Sequence, residues 1–346
     1  MPAGVTVVIC CFNSGRRLAP TLKHLAAQKN VELSCWEVIV VDNASTDNTS
    51  EMAIETWNAI PGEKPAFTVV TESSQGLSAA RKKGIAESKF DYVLFCDDDN
   101  WLDENYVATA FEIMETNPKI GALGGIGHPV FEEKEPPFFW LNQYHTLAVG
   151  EQTSIEGDIT DTRGVLYGAG MIINKAAFQQ LEQKFSFQFL VSDRVGNTLL
   201  SSGDHELCLA LRKAGYRIFY SKLLKFQHYI PQNRTTIEYY KKLYFGFGVA
   251  YAMLHVYGID DQNISYFKND YRYICLRALV KMINLKIKLI LKGYYFAAEK
   301  YKYLDKIHEL YNNKGIFITF LKVKNAFKIQ YLTLPIFAKK NKIESL

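Results

Sequence analysis

The stretch Tyr92-Val93-Leu94-Phe95-Cys96-Asp97-Asp98-Asp99-Asn100 joins an apolar run to three consecutive carboxylates. An apolar run of this length is typical of a strand buried on both faces of a parallel sheet. Adjacent carboxylates repel one another, and a bound cation relieves that repulsion. Oxygen ligands at this density suit Mg²⁺ or Mn²⁺ better than zinc. The alternative is the start of a helix with Asn100 as its N-cap.

The segments around this stretch alternate between strand and helix patterns. Strands are predicted over 5–10, 36–41, 67–71, 92–96, 120–126, 167–173 and 216–220, and helices over 16–28, 47–57, 76–88, 103–115, 175–183 and 205–214. Such alternation predicts an α/β fold, with a mixed, mostly parallel sheet flanked by helices. Ligands bind beyond the carboxyl ends of the strands in these sheets. Candidate site residues therefore follow three strands, at 11–13, 42–45 and 97–100.

The composition is that of a folded globular chain. Of the 346 residues, 48% are hydrophobic and 22% are charged, which excludes extensive disorder. The apolar runs are too short for a transmembrane helix and the N-terminus lacks a signal-peptide pattern, so we expect neither. The six cysteines form no C-x-x-C pair, so we expect reduced thiols in the cytoplasm and no structural zinc.

Charge is distributed unevenly along the chain. The net charge of +4 divides into −8 up to Asn233 and +12 from Arg234 onward. If residues 276–292 form a helix, one face carries Arg277, Lys281, Lys288 and Lys292. The apolar side then carries Leu279, Met282, Ile283, Ile287, Leu289 and Ile290, with Lys286 intruding. This pattern fits a helix at an anionic membrane surface, a helix packed on the main domain with a solvated lysine stripe, or a homodimer interface.

Two common nucleotide-binding motifs are absent from the sequence. It has no G-x-x-x-x-G-K-[ST] phosphate loop, and no G-x-G-x-x-G follows the first strand. A kinase, a P-loop NTPase and a nicotinamide dehydrogenase are therefore disfavoured. Asp42 follows the second strand, where it either closes an Asx-type turn or contacts a ligand.

Six segments, in this order, resemble family 2 glycosyltransferases of the GT-A fold. They are Val7-Val8-Ile9-Cys10-Cys11-Phe12-Asn13, Val40-Val41-Asp42-Asn43-Ala44-Ser45-Thr46-Asp47, Gln75-Gly76-Leu77-Ser78-Ala79-Ala80-Arg81-Lys82-Lys83-Gly84, Asp97-Asp98-Asp99-Asn100, Gly168-Ala169-Gly170-Met171 and Gly203-Asp204-His205-Glu206-Leu207-Cys208. The resemblance covers about residues 4–250. It implies a GT-A domain over 1–235, with a nucleotide-binding half (1–125) and an acceptor half (126–235). A basic, aromatic-rich helical region follows over 236–346.

The resemblance implies a donor site with a divalent cation, Mg²⁺ or Mn²⁺. Asp97 and Asp99 match the D-x-D motif that holds the metal, and His228 resembles a further ligand. Such a cation stabilises the charge on a departing nucleoside diphosphate. The implied donor-binding residues are Phe12 (against the nucleobase), Asn13, Asp42, Arg81, Asp97 and, with a smaller role, Asp98. Arg234 either pairs with phosphate or is a solvated charge.

The resemblance also implies the residues on the acceptor side. Asp204 matches the Asp of the family's Glu-Asp motif and is the predicted general base for the acceptor hydroxyl. Gly203 stands where Glu is usual, so Glu206 is the alternative base. Trp140 and Tyr144 belong to an aromatic loop that forms either an acceptor wall or ordinary packing, since rings stack on sugar faces.

By resemblance, the chain is expected to be an inverting, metal-dependent glycosyltransferase. It would move a sugar from a nucleotide diphosphate donor, first of all a uridine diphosphate sugar, to a hydroxyl of a glycan or lipid-linked acceptor. The expected process is surface polysaccharide or lipopolysaccharide synthesis, at the cytoplasmic face of an anionic membrane. The apolar helix face argues against nucleic acid as a partner. A nucleotidyltransferase and a non-catalytic nucleotide-sugar-binding protein are the alternatives.

Overall fold

A computed structural model describes residues 2–133, 144–191, 193, 199–258, 264–291 and 306–319. The first half of the chain forms parallel βαβ units. Its strands are β1 (Val5–Cys11), β2 (Trp36–Asp42), β3 (Ala66–Thr71) and β4 (Tyr92–Asp97), and its helices are α1 (Leu18–Ala26), α2 (Thr49–Ala59) and α3 (Leu77–Glu87). The register pairs Cys11 with Asp42 and Cys10 with Asp97, so three strands end at one edge of the sheet.

The second half of the chain adds shorter strands and mixed pairing. It contains β5 (Asn100–Leu102), α4 (Tyr106–Glu115), β6 (Ile120–Phe131), β7 (Gly157–Asp158), β8 (Ile172–Asn174), α5 (Lys175–Phe185), α6 (Gly203–Lys213) and β9 (Arg217–Ile230). The described strands form one sheet in the order β3-β2-β1-β4-β8-β6-β9-β5, with β7 beside β9. β8 is antiparallel to β4 and β6, whereas β6 and β9 are parallel. The predicted mixed sheet is confirmed, and its uninterrupted parallel part is β1–β4.

Both faces of the sheet are covered by helices. Val8 belongs to a buried cluster with residues of α3, α5 and α6. Val7 and Ile9 point to the opposite face, into a second cluster with residues of α1, α2 and α4. This double burial explains why the first strands are apolar at nearly every position.

Some strands differ from the sequence prediction. β9 continues to Ile230 and β6 to Phe131, because the two strands stay paired through two register shifts. β8 begins only at Ile172, since the preceding residues form a turn in which Gly170 O accepts the hydroxyl of Tyr106 at 2.6 Å. β5 was not predicted, because three residues give too short a pattern to recognise.

The C-terminal part is helical wherever it is described. It comprises α7 (Ile237–Leu254), α8 (Ile264–Leu291) and a helix over 306–319, here called α9. Ala252, Ala278 and Ile316 pack together and join these three helices. Across the described ranges, no helix combines the length and the apolar character needed to cross a bilayer. The division into domains at residue 235 stays a prediction.

Candidate active site

A cavity of about 940 Å³ lies at the carboxyl ends of β1, β2 and β4. Phe12, Asn43 and Asp97, which follow or end these strands, form part of its wall. Asp204 from α6, residues 145–148 and one side of α7 complete it. Ligand-binding clefts commonly measure about 300–1,000 Å³, so the cavity can hold a sizeable ligand.

Asp97, Asp98 and Asp99 form a turn between β4 and β5, here called the acidic turn. The carboxylates of Asp97 and Asp98 have different surroundings. Asp97 is partly exposed to the cavity, and its backbone N–H donates to Asn100 Oδ1 at 3.2 Å. Asp98 is buried, accepts the hydroxyl of Ser14, and pairs with Arg17 Nη2 at 2.7 Å. Asp98 therefore anchors the turn to the segment that follows β1, while it still borders the cavity.

Asp99 connects the acidic turn to the end of β9. Its carboxylate lies 3.4 Å from His228 Nε2 and 3.1 Å from Arg234 Nη1. The β5–β9 register places Asn100 opposite His228, which brings the imidazole to Asp99. Burial raises the pKa of Asp99, but His228 and Arg234 outweigh it and hold that pKa below its ordinary value of 3.8. The carboxylate is therefore anionic at neutral pH.

The acidic turn does not begin a helix. β5 follows it, and α4 begins only at Tyr106, with Asn105 at its N-cap. The helix-cap alternative for Asn100 is therefore wrong. Asn100 instead closes the acidic turn through its side chain.

The groups around the turn fit a hard divalent cation bound together with a substrate. Asp97 and Asp99 offer carboxylate oxygens, and the buried Nδ1 of His228 has no hydrogen-bond partner. Within the part of the chain that the structure describes, no three carboxylate, imidazole or thiol groups gather into a site of their own. One or two carboxylates suffice for Mg²⁺, which usually completes its shell with water and substrate phosphates.

Arg81 of α3 lies enclosed beside the cavity. It is 4% exposed, its guanidinium lies 5.1 Å from the centroid of Phe95, and its Nη1 lies 3.8 Å from Asp193 Oδ2. Gly168 leaves room for it, because a Cβ at this position would come within 2.3 Å of Arg81 Nη2. The buried Nε of Arg81 has no hydrogen-bond partner. The predicted donor-site cation therefore borders the cavity between an aromatic ring and a carboxylate.

Asp204 lies in the first turn of α6 and borders the cavity. Its carboxylate accepts the N–H of Gly168 at 2.7 Å and the N–H of His205 at 2.8 Å. Ser202 occupies the N-cap position of α6, so Asp204 is not the N-cap residue of this helix. The two N–H donors instead fix the orientation of the carboxylate at the cavity wall.

Asp193 is a site residue that sequence reasoning missed. Its Oδ2 would lie 2.3 Å from a Cβ built on Gly203. Its carboxylate accepts the N–H of Ser202 at 2.9 Å and the N–H of Gly203 at 2.9 and 3.0 Å. The space that a glutamate at 203 would need is thus filled by a carboxylate from another segment. Its sequence neighbourhood has no regular pattern, so no signal pointed to this contact.

Glu206 does not face the cavity. Its carboxylate is fully buried and accepts the N–H groups of Leu190 and Val191 at 2.8–3.0 Å and the hydroxyl of Tyr257 at 3.0 Å. Burial raises its pKa to about 7. The location of Glu206 favours a role in holding segment 190–191 to α6 over the predicted alternative role as base.

The predicted donor-binding residues that follow β1 and β2 differ in their access to the cavity. Phe12 lines it with a ring that is 44% exposed. Asn13 has a φ of 51° and accepts the N–H of Thr46 at 2.8 Å, so it ties two loops together. Asp42 accepts the N–H of Ser45 at 3.0 Å, which forms the expected turn. Neither of these two belongs to the described cavity wall, and their contacts with a donor stay predictions.

Asn43 belongs to the candidate segment 42–45, although the sequence assigned it no role of its own. Its Nδ2 donates to Glu72 O at 3.1 Å and to Ser74 O at 2.7 Å, and its Oδ1 accepts the N–H of Gly76 at 2.8 Å. Gly76 has a φ of 128°, which favours glycine. Asn43 therefore holds the loop before α3 against the end of β2, at the cavity wall.

Of the two predicted acceptor-side residues, the structure describes only Tyr144. Tyr144 packs against Phe131, with ring centroids 6.2 Å apart, and does not belong to the described cavity wall. This arrangement agrees with the packing alternative for Tyr144. Trp140 lies outside the described residues. The wall that the structure does describe includes every fourth residue of α7: Tyr239, Leu243, Phe247 and Tyr251.

Fold and cavity together define a GT-A glycosyltransferase domain. Residues 6–181 match the profile of glycosyl transferase family 2, and the chain belongs to that family. A poly-beta-1,6-N-acetyl-D-glucosamine synthase of Staphylococcus aureus is 27% identical over 122 residues, which cover 35% of this chain and 28% of that protein. Glycosyltransferase GlyA of Streptococcus pneumoniae is 27% identical over 187 residues, covering 51% of this chain and 25% of the relative. The matched parts thus span about a quarter of these relatives.

Solved structures share the fold. Staphylococcus aureus TarS 1–349 in complex with UDP-GlcNAc has a TM-score of 0.52 at 13% identity, covering 94% of this chain and 92% of that one. The mannosyltransferase PcManGT from Pyrobaculum calidifontis, in complex with GDP-Man and Mn²⁺, has a TM-score of 0.50 at 17% identity, covering 99% and 79%. These likenesses confirm the predicted GT-A architecture.

Proposed function

We propose that this protein transfers a sugar, with inversion, from a nucleotide diphosphate donor to a hydroxyl of a glycan or lipid-linked acceptor. The observation that carries the proposal is one cavity bordered by the acidic turn, by Arg81 and Arg234, and by Asp204. Cations and carboxylates are both required there, because the donor is an anion and the acceptor must lose a proton.

The donor would lie along the ends of β1 and β4. The exposed ring of Phe12 offers a stacking surface for a base. Arg17 and Arg234 supply positive charge and hydrogen-bond donors for a diphosphate at the cavity wall. Mg²⁺ or Mn²⁺ would be held by Asp97 and Asp99, with His228 as a further ligand, and would neutralise charge on the leaving diphosphate.

The nucleotide is proposed from the related proteins. TarS has been solved with UDP-GlcNAc, which supports a uridine diphosphate sugar as the first candidate donor. The GDP-Man complex of PcManGT supports a guanosine donor as the alternative. The poly-N-acetylglucosamine synthase among the relatives supports surface polysaccharide synthesis as the process, with lipopolysaccharide synthesis as the alternative.

Asp204 would act as the general base. As the acceptor oxygen attacks the anomeric carbon, its proton passes to the Asp204 carboxylate, and the bond from that carbon to the phosphate oxygen breaks. A nucleoside diphosphate leaves from the opposite face of the sugar, which gives inversion. The bonds from Gly168 and His205 keep the carboxylate oriented for this step. Family membership favours this reaction over nucleotidyl transfer.

Thermal unfolding with a panel of nucleoside diphosphates, with and without Mn²⁺, tests the donor site. A ligand at a hundred times its Kd adds about 2.7 kcal/mol, so one nucleotide should raise the Tm clearly when the metal is present. Asp97→Ala/Asp99→Ala should abolish the shift. Asp161→Ala, which removes an exposed carboxylate paired with Arg217, should keep it. If none of the nucleotides raised the Tm, the proposal would be contradicted.

Asp204→Asn separates binding from catalysis in the same assay. This variant should keep the nucleotide-dependent rise in Tm. Its rate of nucleoside diphosphate release from the sugar nucleotide should fall at least about a hundredfold, the usual contribution of a positioned base. Full turnover by Asp204→Asn would remove the assignment of the base and leave the donor site standing.

A further inference from the structure

α8 carries two separate apolar faces. Its side chains are described from Tyr273 to Ile290. Ala278, Leu285 and Leu289 form a buried face that packs with residues of α7 and α9. A second, exposed face consists of Tyr273, Leu276, Val280, Ile283, Ile287 and Ile290, here called the α8 stripe. The sequence prediction of a single apolar side is therefore wrong, because Leu289 and Ile287 lie on different faces.

The α8 stripe is continuous along the helix. Its members are spaced three and four residues apart, and at about 100° per residue they stay within about a third of the circumference. Their exposure runs from 48% for Val280 to 61% for Leu276. Six of the twelve large apolar side chains exposed in the described residues lie in this stripe. Such a concentration marks a contact surface rather than scattered exposure.

Positive charges flank the α8 stripe on both sides. Arg277 and Lys288 lie about 100° from its centre on one side, and Lys286 lies about 90° from it on the other. All three are exposed. The fourth cation of this segment, Lys281, pairs with Glu309 at 3.3 Å. Residues 273–291 contain no Asp or Glu, so every charged side chain in this part of α8 is a cation.

The charge pattern separates two kinds of occupant. If a second copy of α8 packed on the stripe, the flanking positions would face their counterparts, and Arg277 and Lys286 would meet cations with no carboxylate from residues 273–291 of either copy. An anionic bilayer instead offers hydrocarbon to the stripe and negative headgroups to the flanks. The buried face would meanwhile keep α8 fastened to α7 and α9.

We propose that the α8 stripe is the surface by which this protein lies on an anionic membrane. α8 would rest parallel to the bilayer plane, with Ile283 and Ile287 at the centre of the buried strip. This surface contains no residue of the cavity wall, so the proposal stands independently of the donor and acceptor chemistry.

Co-sedimentation of the full chain with vesicles, in the absence of nucleotide, tests this proposal. Vesicles of phosphatidylcholine with phosphatidylglycerol should bind the protein, vesicles of phosphatidylcholine alone should bind it much less, and added salt should weaken binding. Ile283→Ser/Ile287→Ser should weaken binding at least about tenfold, since both side chains lose apolar burial. Lys286→Glu/Lys288→Glu should remove the preference for anionic lipid.

Matched variants and two contrary outcomes complete the test. Ile54→Ser/Leu223→Ser removes two exposed apolar side chains elsewhere, which are 46% and 70% exposed, and should bind vesicles like the wild type. Thermal unfolding of each variant checks folding. Equal binding by Ile283→Ser/Ile287→Ser would overturn the proposal. The proposal would also be overturned if light scattering showed that the wild type is a dimer and this variant a monomer, and if the wild type did not bind vesicles.

Discussion

Carboxylates from three distant parts of the chain act electrostatically on the guanidinium of Arg81. Asp97, Asp193 and Asp204 all favour its charged form, which burial alone would disfavour. Two of these carboxylates, Asp97 and Asp204, were singled out in the sequence. Asp193 was not, because no sequence pattern links it to Gly203, whose N–H its carboxylate accepts.

A double-mutant cycle tests whether Asp193 takes the place of a carboxylate at 203. Gly203→Glu alone should be strongly destabilising, because its side chain would collide with Asp193. Asp193→Gly alone should lower the free energy of unfolding by about 1–3 kcal/mol, because a buried cation loses a partner. The double variant should lose less than the sum of the two, since the new carboxylate enters vacated space.

Urea unfolding of the four proteins measures the coupling. Asp161→Asn, at an exposed site, should change stability by less than about 0.5 kcal/mol. Strictly additive effects would mean that residues 193 and 203 do not share one carboxylate position.

β5 and β9 show why element prediction succeeds unevenly. The long apolar runs of β1, β2 and β4 predicted buried parallel strands, and these are present. β5 is three residues long, and its pairing with β9 depends on partners more than a hundred residues away. That pairing brings His228 next to Asp99. The contact between these two predicted metal ligands therefore depends on β5, a strand that was not predicted.

α7 offers the element-scale prediction. Phe247→Ala should raise the KM for an alkyl glucoside acceptor about three- to tenfold, because one aromatic contact on a sugar or alkyl chain is worth about 0.5–1.5 kcal/mol. The nucleotide-dependent rise in Tm should not change, since the donor residues lie on other elements. Phe245→Ala is the control, because this ring is on α7 and outside the described cavity wall. Equal KM values for the two variants would argue against α7 as the acceptor wall.

At the scale of the whole molecule, the segment that follows α7 is joined to the core beneath the central sheet. Tyr257 belongs to the same buried cluster as Val8 of β1 and Leu207 of α6. Its hydroxyl donates to Glu206 at 3.0 Å. Composition predicted a change of character near residue 235, and the charge and helicity do change there. Composition carries no information about which residues beyond that point return to the core.

Glu206 makes this junction sensitive to pH. Burial raises the pKa of Glu206 from its ordinary 4.5 to about 7. Below about pH 4.5 the folded and unfolded chains both hold the proton, whereas between pH 4.5 and 7 only the folded chain does. The free energy of unfolding should therefore fall as pH rises through this window, by about 3 kcal/mol in total at 1.36 kcal/mol per unit of pKa.

Glu206→Gln isolates that contribution, because glutamine does not titrate while the other groups still do. Urea unfolding near pH 5 and pH 8 should show the wild type losing about 2–3 kcal/mol more than the variant. Tyr257→Phe removes a hydrogen-bond donor that favours the charged carboxylate, so it should raise the pKa of Glu206 further. The fall in the free energy of unfolding should then continue to a higher pH than in the wild type. A constant difference between wild type and Glu206→Gln would mean that Glu206 stays ionised, with the N–H groups of Leu190 and Val191 offsetting its burial. The junction of α6 with the C-terminal helices would then be held by a permanent charge, and its stability would not depend on pH.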